Sequence, residues 1–348
     1  MKRILPLFLA LALLLTGCTA VVFTTESTSQ TASQVDSSSP ASAQESGLES
    51  APSSSSSPQT DAEEISLTDS NGTQITLHTR TPRVVAAYGS FAEAWLLAGG
   101  ELVGVTQDAL EQRDLGLPED MAVVGTVKEP NAEEIIALEP DLVLLASDIT
   151  AQADIRDVLE NAGISCAAFQ VDTFADYKIM MEQFCGVTGR DDLFEENVTQ
   201  VEEQIQEVQA TAALSSSTRP SVLLIRAFST GIKAKTDDEL AGVILQDLGA
   251  HNIADDHPSM LEDLSLEEVI AADPDYIFVT TMGDEQKALD YLNGLIQQNP
   301  AWSELSAVKE DRYVVLPKDL FHYKPNNRWG ESYQYLGEIL YPQLFHEE

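Results

Sequence analysis

Six of the 17 Lys and Arg residues that follow Arg3 fall in two short stretches. Residues 226–235 hold Arg226, Lys233 and Lys235, and residues 318–328 hold Lys318, Lys324 and Arg328. Cations gathered in this way can recognise an anion, a guanidinium by two parallel bonds to one carboxylate. Phe321, His322, Tyr323 and Trp329 stand within or beside the second stretch, and their rings can cover a flat or aromatic ligand. Pairing with surface carboxylates is the competing use of the same cations. The chain of 348 residues has 57 Asp and Glu against 19 Lys and Arg, a formal charge of −38. That charge excludes nucleic-acid binding through a basic face.

Other chemistry is poorly supplied. His78, His251, His257, His322 and His346 are scattered and make no three-His zinc or manganese site. The chain has three cysteines, too few for a disulfide framework. Cys166 falls in an expected strand and Cys185 in an expected helix, and both a disulfide and two buried thiols fit that pattern. No Gly-rich phosphate loop, G-x-S-x-G elbow or H-E-x-x-H motif occurs, so no bond chemistry is expected. No intrinsic cofactor or directly bound metal is expected either.

The first residues have the form of an export signal. Lys2 and Arg3 precede an apolar run over residues 4–15, too short to span a bilayer comfortably. Leu15-Thr16-Gly17-Cys18 resembles the lipobox of bacterial lipoproteins. That resemblance implies cleavage after residue 17 and lipid on Cys18, at the outer face of a cell membrane, with two acyl chains giving lasting attachment. Residues 24–60 then carry 14 Ser and 5 Thr among 37 residues, with Val35 and Leu48 as the large aliphatics. Such a stretch cannot bury enough apolar surface to order itself. It is expected to be a flexible tether over residues 18–62, with a span of roughly 35–40 Å for a coil of this length.

Local patterning indicates the elements that must position the cations. Apolar alternation on both sides of Asn71-Gly72 predicts a hairpin with a type I′ turn. Residues 83–88 read as a buried strand ending at Tyr88, residues 91–98 as a helix and residues 102–106 as a strand, an α/β pattern. Residues 131–147 align with residues 265–281 at six identities in 17 positions, 134 residues apart. In each copy a helix should stop before a proline, Pro140 or Pro274, with a buried strand next. Two similar α/β lobes are expected from this repeat. Leu193, Phe194, Val198, Val201, Ile205, Val208 and Ala212 recur at helical spacing between them and predict one connecting helix, with Asp191 or Asp192 as its cap. The expected boundaries are 1–17 leader, 18–62 tether, 63–178 N-terminal lobe, 179–217 connecting region and 218–348 C-terminal lobe.

Lipobox, Ser-rich tether, paired lobes and single connecting helix together resemble the helix-hinged (class III) substrate-binding lipoproteins of ABC importers. The resemblance is to the group that serves iron–siderophores, haem and cobalamin, and it covers residues 65–342. Glu133-Glu-Ile-Ile-Ala-Leu-Glu-Pro-Asp-Leu-Val143 is similar to a segment common in that group. The resemblance implies a ligand cleft between the lobes and a monomer that docks on a membrane permease through one glutamate per lobe, here Glu133 and Glu267. A ferric siderophore is the expected cargo, anionic because of the cations, with haem or a corrinoid as the alternative. A surface hydrolase or a sensor on the same fold is the alternative of another class. The expected ligand residues are Tyr88, Arg226, Lys233, His322, Tyr323, Lys324, Arg328 and Trp329. For haem, Tyr88, Met282, His322 and Tyr323 are the residue types that serve as axial ligands.

Overall fold

The computed structural model describes residues 64–215, 219–262 and 264–345. The leader, Cys18 and the whole of the expected tether lie outside the described residues. β1 (Ile65–Thr68) and β2 (Gln74–Leu77) pair antiparallel and bury Ile65, Leu67, Ile75 and Leu77. The connection is not the expected type I′ turn, which needs two residues with positive φ. Of Asn71 and Gly72 only Gly72 has one, at +79°. Asp69 closes a longer loop instead, accepting the N–H groups of Asn71 and Thr73 at 3.0 and 2.8 Å. Its second oxygen accepts from Ala168 N–H at 3.2 Å and lies 3.4 Å from Arg156. One buried carboxylate thus shapes the turn and ties the hairpin to the sheet beside it.

The N-terminal lobe continues with β3 (Val84–Ala86), β4 (Leu102–Val105), a two-residue ladder of β5 (Gly125–Thr126) and β6 (Glu129–Pro130), then β7 (Leu142–Ala146) and β8 (Ser165–Phe169). The four longer strands form a parallel sheet in the order β4-β3-β7-β8. β7 is buried along its whole length, as a parallel strand covered on both faces should be. The C-terminal lobe has β9 (Ser221–Phe228), β10 (Gly231–Lys235), β11 (His251–Asn252), β12 (Tyr276–Thr281) and β13 (Tyr313–Val315). Its sheet runs β10-β9-β12-β13, with β11 also on β9. β3 therefore corresponds to β9, and β7 to β12.

The repeat is visible in single hydrogen bonds. Asp141 accepts the N–H of Arg83 at 2.7 Å, and Asp275 accepts that of Ser221 at 2.8 Å. In both lobes the Asp after the proline therefore pins the start of the neighbouring strand. The helices before the prolines are Ala132–Ala137 and Leu266–Ala272. The residues just before the prolines leave the right-handed region altogether, with φ of +46° at Glu139 and +42° at Asp273. Ser306 compensates Asp273 by donating its N–H at 2.8 Å and its hydroxyl at 2.7 Å.

The connecting helix runs from Asp191–Phe194 through a π-helical turn, Glu195–Thr199, into Gln200–Ala212. Its cap position is Arg190, not either aspartate, and Arg190 instead pairs with Asp192 at 2.7 Å. Val198, Val201, Ile205, Val208 and Ala212 are buried in one core that contains both Trp95 of the N-terminal lobe and Leu224 of β9. Each lobe has a second core on the far face of its sheet. Cys166 belongs to the far core of the N-terminal lobe and Cys185 to the shared one, so the sheet stands between them and both are free thiols. Burial pushes them up to about 12 and about 11. Among the described residues no helix is long and apolar enough to cross a membrane.

Asp69→Ala is expected to lower unfolding stability by ~2–4 kcal/mol, because the buried N–H of Ala168, the turn N–H groups of Asn71 and Thr73, and Arg156 lose their partner together. A urea denaturation curve with an unchanged midpoint would contradict this account of the hairpin.

Candidate functional site

In each lobe the strand order reverses beside the first strand of the repeat, between β3 and β7 and between β9 and β12. Ligands of open α/β sheets sit outside the strand ends at such points. The residues there are Tyr88 after β3, Asp148 after β7, Arg226 near the end of β9 and Met282 after β12.

The C-terminal wall of the cleft is basic. β10 pairs with β9 so that Lys233 lies directly opposite Arg226. Arg226 Nε lies 2.7 Å from Oε1 of Glu239, off the N–H axis, so the pair is held by charge more than by an aligned hydrogen bond. Its two terminal nitrogens have no hydrogen-bond partner among the described residues. Lys233 is exposed and forms no ion pair among them. His322 is half-buried, and burial, then the charges of Arg226, Lys318 and Lys324, depress its pKa to about 4. It is therefore neutral at physiological pH. Its ring meets that of Tyr323 at 5.2 Å between centroids, and Lys318 lies over the other side of the cluster, 5.3 Å from the Tyr323 ring.

The N-terminal wall is built around Tyr88. Burial pushes its hydroxyl up to about 12, with Arg113, Asp108, Asp148 and Asp172 as charged neighbours. Its ring packs edge-on against Phe91 at 5.2 Å. Asp108, nearly buried, accepts Gly89 N–H at 2.7 Å and so fixes the turn that follows Tyr88.

Residues 318–329 form a strap from the C-terminal lobe onto the N-terminal one. Lys324 donates to the Val171 carbonyl and to Asp172 at 3.0 Å. Burial opposes the charge on Asp172, but hydrogen bonds from Gln170 and Lys324 outweigh it and hold the carboxyl below its usual range. Asn326 is fully buried and donates to the Ser90 carbonyl at 3.0 Å and to Glu93 at 2.6 Å. Arg113 pairs with Glu93 and donates to the Lys324 carbonyl at 3.1 Å. Asn327 donates to Asn197, which the π-helical turn of the connecting helix presents, at 3.0 Å. Lys324 and Asn326 hold left-handed backbone, at φ of +60° and +52°, which local contacts must offset. A hollow of about 340 Å³ beside the strap is lined by Glu93, Arg113, Asp319, Tyr323, Pro325 and Arg328. Larger hollows, of about 540 Å³ against the connecting helix and about 660 Å³ beside Trp302, lie away from the strand ends and gather no cations.

The expected site residues therefore divide. Arg226, His322, Tyr323 and Lys324 come together, with Lys233 across the ladder from Arg226, while Tyr88 stands on the N-terminal wall near Asp172, the partner of Lys324. Trp329 does not join them: it is 0% exposed, with its ring edge-on to Phe174 of the N-terminal lobe, and serves packing between the lobes. Arg328 is occupied on every edge, by Asp319 at 2.9 Å and by Glu331 at 2.8 and 3.0 Å. Arg113, Asp172, Glu239 and Asn197 were not visible from sequence, because each matters only through a partner remote in the chain. Glu133 and Glu267 occupy equivalent exposed positions in helices capped by Asn131 and Ser265. Glu268 is instead held by the Ser259 hydroxyl at 3.1 Å, which leaves Glu267 as the free carboxylate of that pair. Among the described residues no group of three or more His, Cys, Asp or Glu is placed to hold a metal ion.

Residues 84–320, spanning both sheets and the connecting helix, match the family of periplasmic binding proteins. The chain belongs to that family. It is a binding protein and not an enzyme. This binding protein is 27% identical over 244 residues to a putative ABC transporter substrate-binding lipoprotein, YhfQ, of Bacillus subtilis, covering 65% of this chain and 73% of that one. It is 25% identical over 249 residues to the Fe(3+)-citrate-binding protein YfmC of the same organism, covering 68% and 73%. Its fold is similar to that of Staphylococcus aureus SirA complexed with staphyloferrin B, with a TM-score of 0.61 at 20% identity over 81% of this chain and 99% of SirA.

The strap and His322 each give an expected outcome. With spin labels at the exposed positions Val158 and Tyr291, Lys324→Met should broaden the distance between lobes, while Lys233→Met should leave it unchanged. Equal distributions in all three proteins would remove Lys324 as a tie. The neutral imidazole binds fewer protons folded than unfolded from about pH 6.5 down to about pH 4. Stability should therefore fall as pH drops through that window, by on the order of 2 kcal/mol for a half-buried group, and His322→Gln should remove the fall. Parallel stability–pH curves for the two proteins would contradict this.

Proposed function

We propose that this protein is the substrate-binding component of an ABC importer and that its cargo is an anionic ferric chelate of the siderophore type. One observation carries the reading: Arg226 presents two unoccupied guanidinium nitrogens at the switch point of the C-terminal lobe, in a chain whose formal charge is −38. A free planar fork matches a carboxylate or catecholate edge, and Lys318, Lys324 and Lys233 add charge around it. Relatives that bind ferric citrate by name, and the likeness to a fold seen with staphyloferrin B, support the ligand class.

Docking on the permease rests on Glu133 and Glu267, one at the same exposed helix position in each lobe. Lipid on Cys18 would hold the body at the outer face of the cell membrane, as in a relative named as a lipoprotein. Capture needs no bond chemistry. The ligand has only to replace carboxylates as partner of the basic wall, and the connecting helix limits how far the lobes then move.

Titration of residues 63–348 with ferric citrate, other ferric siderophores and haem, followed by tryptophan emission, tests this. One anionic ferric chelate should bind below about 1 μM, and Arg226→Ala should weaken it at least ~tenfold through loss of a charge-assisted bond. Undiminished binding by Arg226→Ala would remove the basic wall from the site. Tight binding of haem alone, with a Soret band that shifts in His322→Ala, would replace the chelate by a porphyrin held through the neutral imidazole. Binding of none of these would end the iron reading and leave the fold.

A further inference from the structure

We infer that Glu239 is a positioning residue for anion capture: it holds the Arg226 guanidinium by its Nε edge so that both terminal nitrogens face the cleft. The inference rests on the reading that Arg226 meets an anionic ligand, and it adds a residue that does not itself touch that ligand.

Glu239 immediately precedes the helix Leu240–Asp247, at its cap position, yet its side chain accepts no bond from that helix. Its place at a helix start therefore does not account for it. The side chain is 2% exposed and faces three groups. Arg226 Nε lies at 2.7 Å, Lys235 Nζ at 3.6 Å and Thr280 Oγ1 at 3.3 Å. Those groups come from β9, β10 and β12, three neighbouring strands of the C-terminal sheet, two of which flank the switch point. A buried carboxylate is costly to keep, and an apolar side chain of similar size would pack more favourably unless the charge serves its neighbours. Burial does raise its pKa, against the opposing charges of Arg226 and Lys235.

The other cleft guanidinium groups show what this arrangement avoids. Arg328 spends both ends of its fork on Asp319 and Glu331. Arg113 spends one end on Glu93 and the other on the Lys324 carbonyl. Arg226 is anchored through Nε alone. Its carboxylate partner sits behind it, inside the protein, and is not in competition for the terminal nitrogens. Lys235 keeps its own partner, Asp238, so Glu239 is not needed to neutralise it. An arginine fixed at its base loses less side-chain freedom when a ligand arrives, and its fork is already aimed.

A double-mutant cycle reads this directly. With ferric citrate as probe, or whichever ferric chelate wild type binds most tightly, Glu239→Gln should weaken binding roughly tenfold in the wild-type background. In the Arg226→Ala background the same substitution should change affinity less than about twofold, because the residue through which it acts is gone. Additive losses would show that Glu239 acts elsewhere, and would overturn the inference while the iron reading stands. A second measurement needs no ligand. In protein labelled with ¹⁵N-arginine, the Nε signal of Arg226, assigned by its loss in Arg226→Lys, should relax as a rigid group in wild type and as a mobile one in Glu239→Gln, because the charge that fixes the guanidinium is gone. An unchanged order parameter would overturn the positioning role even if no chelate binds.

Discussion

The two lobes share one core, and the connecting helix is its axis. Val198, Val201, Ile205, Val208 and Ala212 are buried along it, in contact with a hydrophobic cluster that reaches from Trp95 to Leu336. Swinging the lobes apart as rigid bodies would expose part of that cluster to water, at about 25 cal/mol for each Å² of apolar surface. Large hinge motions are therefore opposed by the same burial that holds the fold together. What remains adjustable is the polar seam on the strand-end side. There Lys324, Asn326 and Arg113 tie the strap to the N-terminal lobe, and Asn327 ties it to the connecting helix, by hydrogen bonds and not by shared apolar surface.

That seam makes sense of an acidic protein with a basic cleft. Most of the cations near the cleft are paired: Lys235 with Asp238, Lys324 with Asp172, and Arg328 with Asp319 and Glu331. Exposed pairs of this kind contribute little to stability, on the order of 0–1 kcal/mol each. Their weakness suits the proposed capture of an anion, which would replace the carboxylates at small expense. Arg226 differs in that its partner lies behind it. The ligand there would add contacts without breaking any.

The internal repeat explains why the site has two comparable walls. Asp141 and Asp275 pin equivalent strands, and Glu133 and Glu267 stand at equivalent exposed helix positions. The lobes diverge beyond the first strand of each repeat. After β3 the chain turns at Tyr88 directly into a helix, whereas β9 runs on into the β9–β10 ladder that carries Arg226, Lys233 and Lys235. That antiparallel extension puts the cations on one wall only. It leaves an aromatic hydroxyl and carboxylates on the other.

Periodicity and the repeat were enough to read two α/β lobes and one connecting helix from the amino-acid order. Both signals are set by neighbours within a few residues and by burial of one face. The positions of Arg226, His322, Tyr323 and Lys324 near strand ends were legible for the same reason. The Asn71-Gly72 pair forms no type I′ turn because Asp69, two residues earlier, competes for the turn's N–H groups, and its own place is fixed by Ala168 and Arg156. Trp329 packs between the lobes and not in the cleft, a difference hidden in the sequence because a ring beside cations looks alike in both places. Only the tertiary structure decided which of 57 carboxylates neutralises which cation. Glu239 behind Arg226 and Asp172 against Lys324 are the instances that matter most. A charge pair needs a few ångströms of proximity and the right burial, and neither is encoded by spacing along the chain.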